Sequence, residues 1–456
     1  MSEEVSSSIC KRTVVSTKIV QPGKFCPLTV LDRVMENNFV RIVFYYRQAY
    51  KFSYWFKVVC IDLEFGKDYM KLNESIAETL NAYTIIMGRL LRSPGEQWLI
   101  KCNDAGLRVI EAKAKGSVDD WLQNVDRDKE LKLVHWEPMY SESYFWSPFY
   151  VQITEFEEGG VSIGLSCTHL LADPTSATMF IKAWADMTFT GKMISPPHFH
   201  PLPPRRPYNH NPYHNHIYST HMINHYKKPT TDKPPSQTSS DRPTTITLLF
   251  TEEMVRACMS MAQTPDAFDA LVGLFWTRIS KAKNVGLMDL TVGLDVRKVL
   301  GLDKGFYGNC MVYNKVKWSS GSMVLGDDLL SQAANAIRNM IKEMDKEGIM
   351  DLIEWLDQNN CRASNVLDGC DSLVCVNLEG VDPYLACFGD NIDPVHVSYY
   401  VELESGPGNR LLILPSPPGT GALSRTVMVT LPENEAVKLM GDQLIHQLSP
   451  CIKMGV

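Results

Sequence analysis

Apolar and polar side chains alternate through residues 149–156 and again through 161–168, with Glu157, Glu158, Gly159 and Gly160 between them. A period of two broken by a glycine-containing turn predicts a hairpin. From 174 to 188 the period lengthens to that of a helix, with Met179, Phe180, Ala183 and Trp184 sharing one face. Upstream, the same reading predicts strands over 12–20 and 40–46, a short helix over 27–35 and a long helix over 69–91. Leu72, Ile76, Leu80, Ile85 and Met87 are the core candidates of that long helix. A second hairpin is predicted from 97–102 and 107–112 around Asn103, Asp104, Ala105 and Gly106.

Downstream, strands are predicted over 244–250, 290–294, 371–378, 395–401, 410–414 and 425–431. Helices are predicted from Thr251, over 264–276 (apolar around most of its circumference, hence buried), over 331–346 and over 433–448. Strands interleave with helices in both halves, which predicts an α+β chain with mixed sheets.

The junction between the second strand of the 149–168 hairpin and the next helix carries the candidate chemistry: His169, Leu170, Leu171, Ala172, Asp173, Pro174. A histidine at a strand end, on a rigid base, can serve as a general base near neutral pH. Asp173 followed by Pro174 has the form of a helix N-cap with proline at N1. The plainer alternative is a turn histidine beside an ordinary cap.

Composition narrows the field. A chain of 456 residues exceeds one ordinary core, so two domains are expected. The net charge of −7 argues against nucleic acid as the principal partner. The 12 cysteines include no C-x-x-C pair, so neither a metal site nor a compact disulfide framework is expected, and reduced thiols in a cytoplasmic protein are the simplest account. The polar start and the lack of any long apolar run predict no signal peptide and no transmembrane segment. Between 195 and 245 prolines cluster, apolar periodicity stops, and His198, His200, His210, His214, His216, His221 and His225 gather. Two readings stand: an exposed crossover between domains, or a metal site, the second weakened by the absence of a repeated ligand spacing. The expected organisation is 1–195, a Pro/His-rich crossover over 196–245, and 246–456.

Several pieces occur in a fixed order: His169 to Asp173, the helix ending at Trp276, Asp295-Val296-Arg297, Gly305-Phe306-Tyr307-Gly308-Asn309, Phe388-Gly389, and the run ending at Pro432. In this order they resemble the plant BAHD acyl-CoA-dependent acyltransferases over essentially the whole chain. The resemblance implies two similar mixed-sheet domains of the chloramphenicol acetyltransferase type, joined by a long crossover, with the histidine at their interface. It implies His169 as general base and Asp173 as a structural partner paired with Arg297. It assigns Asn309, Phe388 and Gly389 to the binding architecture, and acyl-CoA as co-substrate with no tightly bound cofactor.

Two departures are visible. Pro174 stands where the family writes glycine, and Cys387-Phe388-Gly389-Asp390-Asn391 stands for Asp-Phe-Gly-Trp-Gly. The stretches from Trp98 to Ala112 and from Trp146 to Glu155 look like the family's eceriferum branch. That resemblance implies promotion of very-long-chain acyl-CoA elongation for cuticular wax, with a ketoacyl-CoA synthase as partner, peripherally at the cytosolic face of the endoplasmic reticulum. The alternative is an O- or N-acyltransferase that uses His169. A scaffold without a ligand is the weaker third reading.

Overall fold

The computed structural model describes residues 5, 10–47, 67–93, 97–139, 142–204, 216–227, 242–318, 329–361, 367 and 372–455. The chain forms two compact units, neither continuous in sequence. The first comprises Met1–His200, Lys304–Asn309 and Val381–Glu404, and the second Pro201–Asp303, Cys310–Gly380 and Ser405–Val456.

The first unit is built on a six-stranded sheet. Its strands run in the order Cys10–Val14, Leu107–Ala114, Phe149–Phe156, Val161–Thr168, Asn38–Tyr46 and His396–Leu403. The expected hairpin of Phe149–Phe156 with Val161–Thr168 is present, antiparallel, with Phe149 opposite Cys167 and Glu155 opposite Val161. Val161–Thr168 is buried at every position, polar residues included. The reason is Ser162, Gly164 and Ser166 on its second face, small enough to admit another stretch of backbone. A Cβ on Gly164 would stand 2.1 Å from the Leu133 carbonyl oxygen, and the Ser166 hydroxyl donates to the His135 carbonyl.

Three expectations in this unit are corrected. Residues 97–112 do not form a hairpin. Trp98–Lys101 lies between Phe25–Pro27 and Arg89–Arg92 in a separate three-stranded sheet, while Leu107–Ala114 joins the main sheet parallel to Phe149–Phe156. The Asn103–Gly106 turn therefore carries the chain from one sheet to another. The helix expected over 69–91 ends at Leu80, and Arg89–Arg92 is a strand. The strand expected over 12–20 is Cys10–Val14. All five predicted core residues of 69–91 are nevertheless buried.

The second unit holds a seven-stranded sheet in the order Met311–Lys315, Leu290–Asp295, Leu373–Asn377, Asn409–Pro415, Arg425–Pro432, Pro243–Phe250 and Cys451–Met454. The pairs flanking Leu373–Asn377 are parallel and the remainder antiparallel, giving the expected mixed character. Ala267–Ala282 is its buried helix. Trp276 Nε1 donates to the Met288 carbonyl at 2.8 Å, and Gly273 lets Ala334 of the helix Leu329–Glu343 approach closely.

Two stretches expected as single helices are interrupted or shortened at caps. Residues 433–448 divide into Glu433–Met440 and Gln443–Leu448, the second capped by Asp442. Residues 331–346 end at Glu343, and Asp345 caps a further helix, Lys346–Gln358. Within the Pro/His-rich stretch, Pro201–Pro204 have no regular structure, whereas His216–Tyr226 is a helix. The Tyr226 ring is fully buried and its hydroxyl accepts the Tyr313 N–H at 2.9 Å, so this part is not an exposed connector. His210 and His214 lie outside the described residues.

Candidate functional site

His169 follows the last residue of Val161–Thr168 and is fully buried. Its backbone is held on both sides: its N–H donates to the Asn38 carbonyl at 2.8 Å, and its carbonyl accepts from Asn309 Nδ2. Among the described residues neither ring nitrogen has a partner at hydrogen-bond distance, and the Asn309 side chain is the polar group beside the ring. Burial pushes the imidazole below its ordinary pKa, opposed by the charge of Asp173 and by polar interaction with its own backbone and the Asn309 side chain. The ring is therefore neutral at neutral pH, with one acceptor nitrogen and one N–H.

Asp173 faces the other way along the chain. It is the N-cap of Pro174–Thr190, its carboxylate accepting the Ser176 N–H at 2.8 Å, with Pro174 in the first turn. Proline there removes an N–H that would have no intrahelical partner. Ser176 ties this helix to the 304–309 segment: its hydroxyl donates to the Gly308 carbonyl at 3.0 Å and lies 3.1 Å from the Gly308 N–H. Gly308 has φ +146°, a backbone conformation that favours glycine.

Asn309 is fixed from behind by a residue that periodicity alone does not single out. Asp32 is buried and accepts the Asn309 N–H at 2.8 Å and its side-chain amide at 2.9 Å, across 277 positions of sequence. Asp32 also completes a capping box with Thr29. The Thr29-x-x-Asp32 spacing could have flagged the cap, but not the distant partner. Burial raises the Asp32 carboxyl above its usual range, and the hydrogen bonds from Asn309 and Thr29 oppose that. The geometry is thus a line of support from Asp32 through Asn309 to the carbonyl of His169.

The other candidates divide. Phe388 is a packing residue. Its ring meets Tyr46 edge-on at 5.6 Å and Trp184 edge-on at 5.0 Å, while the Tyr46 hydroxyl donates to the Ala386 carbonyl at 3.0 Å. The loop closes through Phe388 N–H to Ile392 O at 3.2 Å and Ile392 N–H to Gly389 O at 3.1 Å. Asn391 sits at φ +59°, and asparagine tolerates that region better than most other non-glycine residues. Arg297 lies in the second unit, nearly buried, with Nη1 at 2.6 Å from Asp295 Oδ2 and its backbone N–H on Asp295 Oδ1 at 2.9 Å.

A model of the Transferase family matches residues 9–443. The chain belongs to this family, that of the BAHD acyltransferases. "Protein ECERIFERUM 26-like" of Arabidopsis thaliana is 35% identical over 111 residues, which is 24% of this chain and 26% of the relative. The chain thus spans about a quarter of that relative's length. The fold is also that of vinorine synthase, with TM-score 0.67 at 15% identity over 97% of this chain and 98% of that one. It is shared with F. graminearum TRI101 in complex with coenzyme A and T-2 mycotoxin, with TM-score 0.67 at 11% identity over 94% of this chain and 100% of that one. Among the described residues no helix is long and apolar enough to cross a membrane, and no three His, Cys, Asp or Glu side chains are grouped to hold a metal ion.

Proposed function

We propose that the protein binds acyl-CoA and promotes elongation of very-long-chain acyl chains as an accessory of a ketoacyl-CoA synthase, working peripherally at the endoplasmic reticulum. One observation carries this reading. The 387–391 loop packs into the first unit, with Phe388 between Tyr46 and Trp184 and Asn391 in the left-handed position. Yet it has lost the acid, the tryptophan and the last glycine of the family pattern. The similarity to the eceriferum relative supports the same choice. The coenzyme A in the TRI101 complex supports acyl-CoA as ligand.

A second reading has its own observation, the buried neutral imidazole of His169 beside the Asn309 side chain. In an acyltransferase, His169 would take the proton of an alcohol or amine as its oxygen or nitrogen attacks the thioester carbonyl carbon. The carbon–sulfur bond then breaks, and the proton passes from the imidazolium to the departing thiolate. We carry the pairing of Asp173 with Arg297 as part of the same proposal.

The two readings part at one substitution. Expression in a host with a fatty-acid elongase, with and without a plant ketoacyl-CoA synthase, is followed by acyl-chain profiling. His169→Ala should leave elongation largely intact if the protein is an accessory. General-base catalysis is worth about 10²–10⁴-fold, so loss of the long-chain products from a folded, abundant variant would overturn the accessory reading in favour of the transferase.

A further inference from the structure

Tyr307 was not among the residues that the sequence singled out for chemistry. Its ring is packed edge-on against Tyr83 at 5.4 Å and tilted against Phe199 at 5.4 Å. Its backbone N–H donates to the His198 carbonyl at 3.0 Å, so the side chain has little freedom to swing. The residue is 4% exposed, and its hydroxyl is enclosed without a hydrogen-bond partner among the described residues. A buried phenol ordinarily finds one.

The surroundings make this specific. Two residues on, Asn309 donates to the His169 carbonyl while its own Oδ1 is enclosed and unpartnered. The ring nitrogens of His169 likewise lack a partner at hydrogen-bond distance among the described residues, with the Asn309 side chain as their polar neighbour. The phenol of Tyr307 is thus an enclosed hydroxyl with no partner among the described residues, on the backbone segment whose Asn309 holds the His169 carbonyl and lies beside its ring, all within the first unit. A buried polar atom without a partner calls for an explanation, and a ligand that arrives later is one. The acidic groups in electrostatic reach of the phenol are Cys167, Tyr83, Asp173 and Asp32, and burial together with these raises its pKa well above the ordinary value. It therefore stays protonated and acts as a donor.

We propose that the Tyr307 hydroxyl donates a hydrogen bond to the thioester carbonyl oxygen of a bound acyl-CoA, fixing the acyl carbon beside His169. This rests on the acyl-CoA-binding reading above and is common to its accessory and transferase forms. Tyr307 would be a binding residue in the first and would also polarise the carbonyl in the second.

The test uses two ligands that differ at that oxygen: lauroyl-CoA, a thioester, and S-dodecyl-CoA, the thioether without a carbonyl. Binding of both to the full-length protein and to Tyr307→Phe is measured by titration calorimetry. The variant should bind lauroyl-CoA about 3- to 10-fold more weakly, the effect of one neutral hydrogen bond, and S-dodecyl-CoA as the wild type does. Its melting temperature should match or exceed the wild type's, since no bond of the folded protein is removed. Equal weakening for both ligands, or none for either, overturns the proposal. If Tyr307→Phe does not fold, 3-fluorotyrosine at 307, a stronger donor of nearly the same shape, should tighten lauroyl-CoA binding selectively, and unchanged binding overturns the proposal. A wild-type protein that binds neither ligand overturns it together with the reading beneath it. One that binds lauroyl-CoA with the expected selectivity but changes no chain-length profile and transfers no acyl group defeats the function and leaves Tyr307 supported.

Discussion

At the scale of single residues, the site depends on who holds the backbone of His169 more than on who touches its ring. Asn309 and Asn38 bind that backbone, and Asp32 holds Asn309 by two hydrogen bonds. Asp173 acts on the neighbouring helix, as its N-cap. Asp173→Ala should cost about 1 kcal/mol for the cap alone, and more if the carboxylate also serves a buried arginine. A double-mutant cycle with Arg297→Ala, read by denaturant unfolding, tests the proposed pairing. A coupling energy indistinguishable from zero would reject it. A second expectation concerns the loop that departs from the family pattern. Asn391 is at φ +59°, so Asn391→Gly should leave stability within about 0.5 kcal/mol of wild type, while Asn391→Val should cost about 1–2 kcal/mol through backbone strain.

At the scale of elements, the strand that delivers His169 is covered on both faces, and the covering depends on small residues. Gly164 is the tightest point, since an added Cβ would meet the Leu133 carbonyl at 2.1 Å and the Val134 Cα at 2.9 Å. These are backbone atoms, which cannot rotate aside. Gly164→Ala should therefore destabilise the first unit by about 3 kcal/mol, seen as a lower melting temperature. Because the strand would shift, acyl-CoA binding should weaken as well. A variant with wild-type melting behaviour would show that 131–136 does not pack on this strand.

For the whole molecule, pH offers a readout of the His169 environment. Its folded pKa is lowered, chiefly by burial. Above the unfolded pKa of about 6.5 the ring is neutral in both states and costs nothing. As pH falls below that value the unfolded chain takes up a proton that the folded site resists, so stability is lost toward the folded pKa. Wild type should therefore lose stability relative to His169→Gln between about pH 6.5 and 5, with a slope of at most about 1.4 kcal/mol per pH unit. His225, pushed down to about 4 mainly by burial, contributes in the same direction in both proteins and cancels in the difference. A difference that does not change with pH would show that His169 is solvated in solution.

Much of this was legible in the residues themselves. The alternation over 149–168 specified a hairpin, and the Asp173-Pro174 pair specified where the next helix starts, because both signals act over a few residues through pleat and cap geometry. The mixed α+β character followed from the same local periods. What tertiary structure alone decided was partnership at long range. Trp98–Lys101 and Leu107–Ala114 are separated by a turn that looks like a hairpin turn, yet each found a different sheet. His396–Leu403 pairs with Asn38–Tyr46, and the Lys304–Asn309 segment packs with the unit that contains His169. Nor could period reveal that the carboxylate of Asp32 would hold Asn309, or that the Tyr307 hydroxyl would be enclosed without a partner among the described residues. Local periodicity reports which face a side chain takes, whereas the identity of what covers that face is settled only when distant segments compete for the same buried surface.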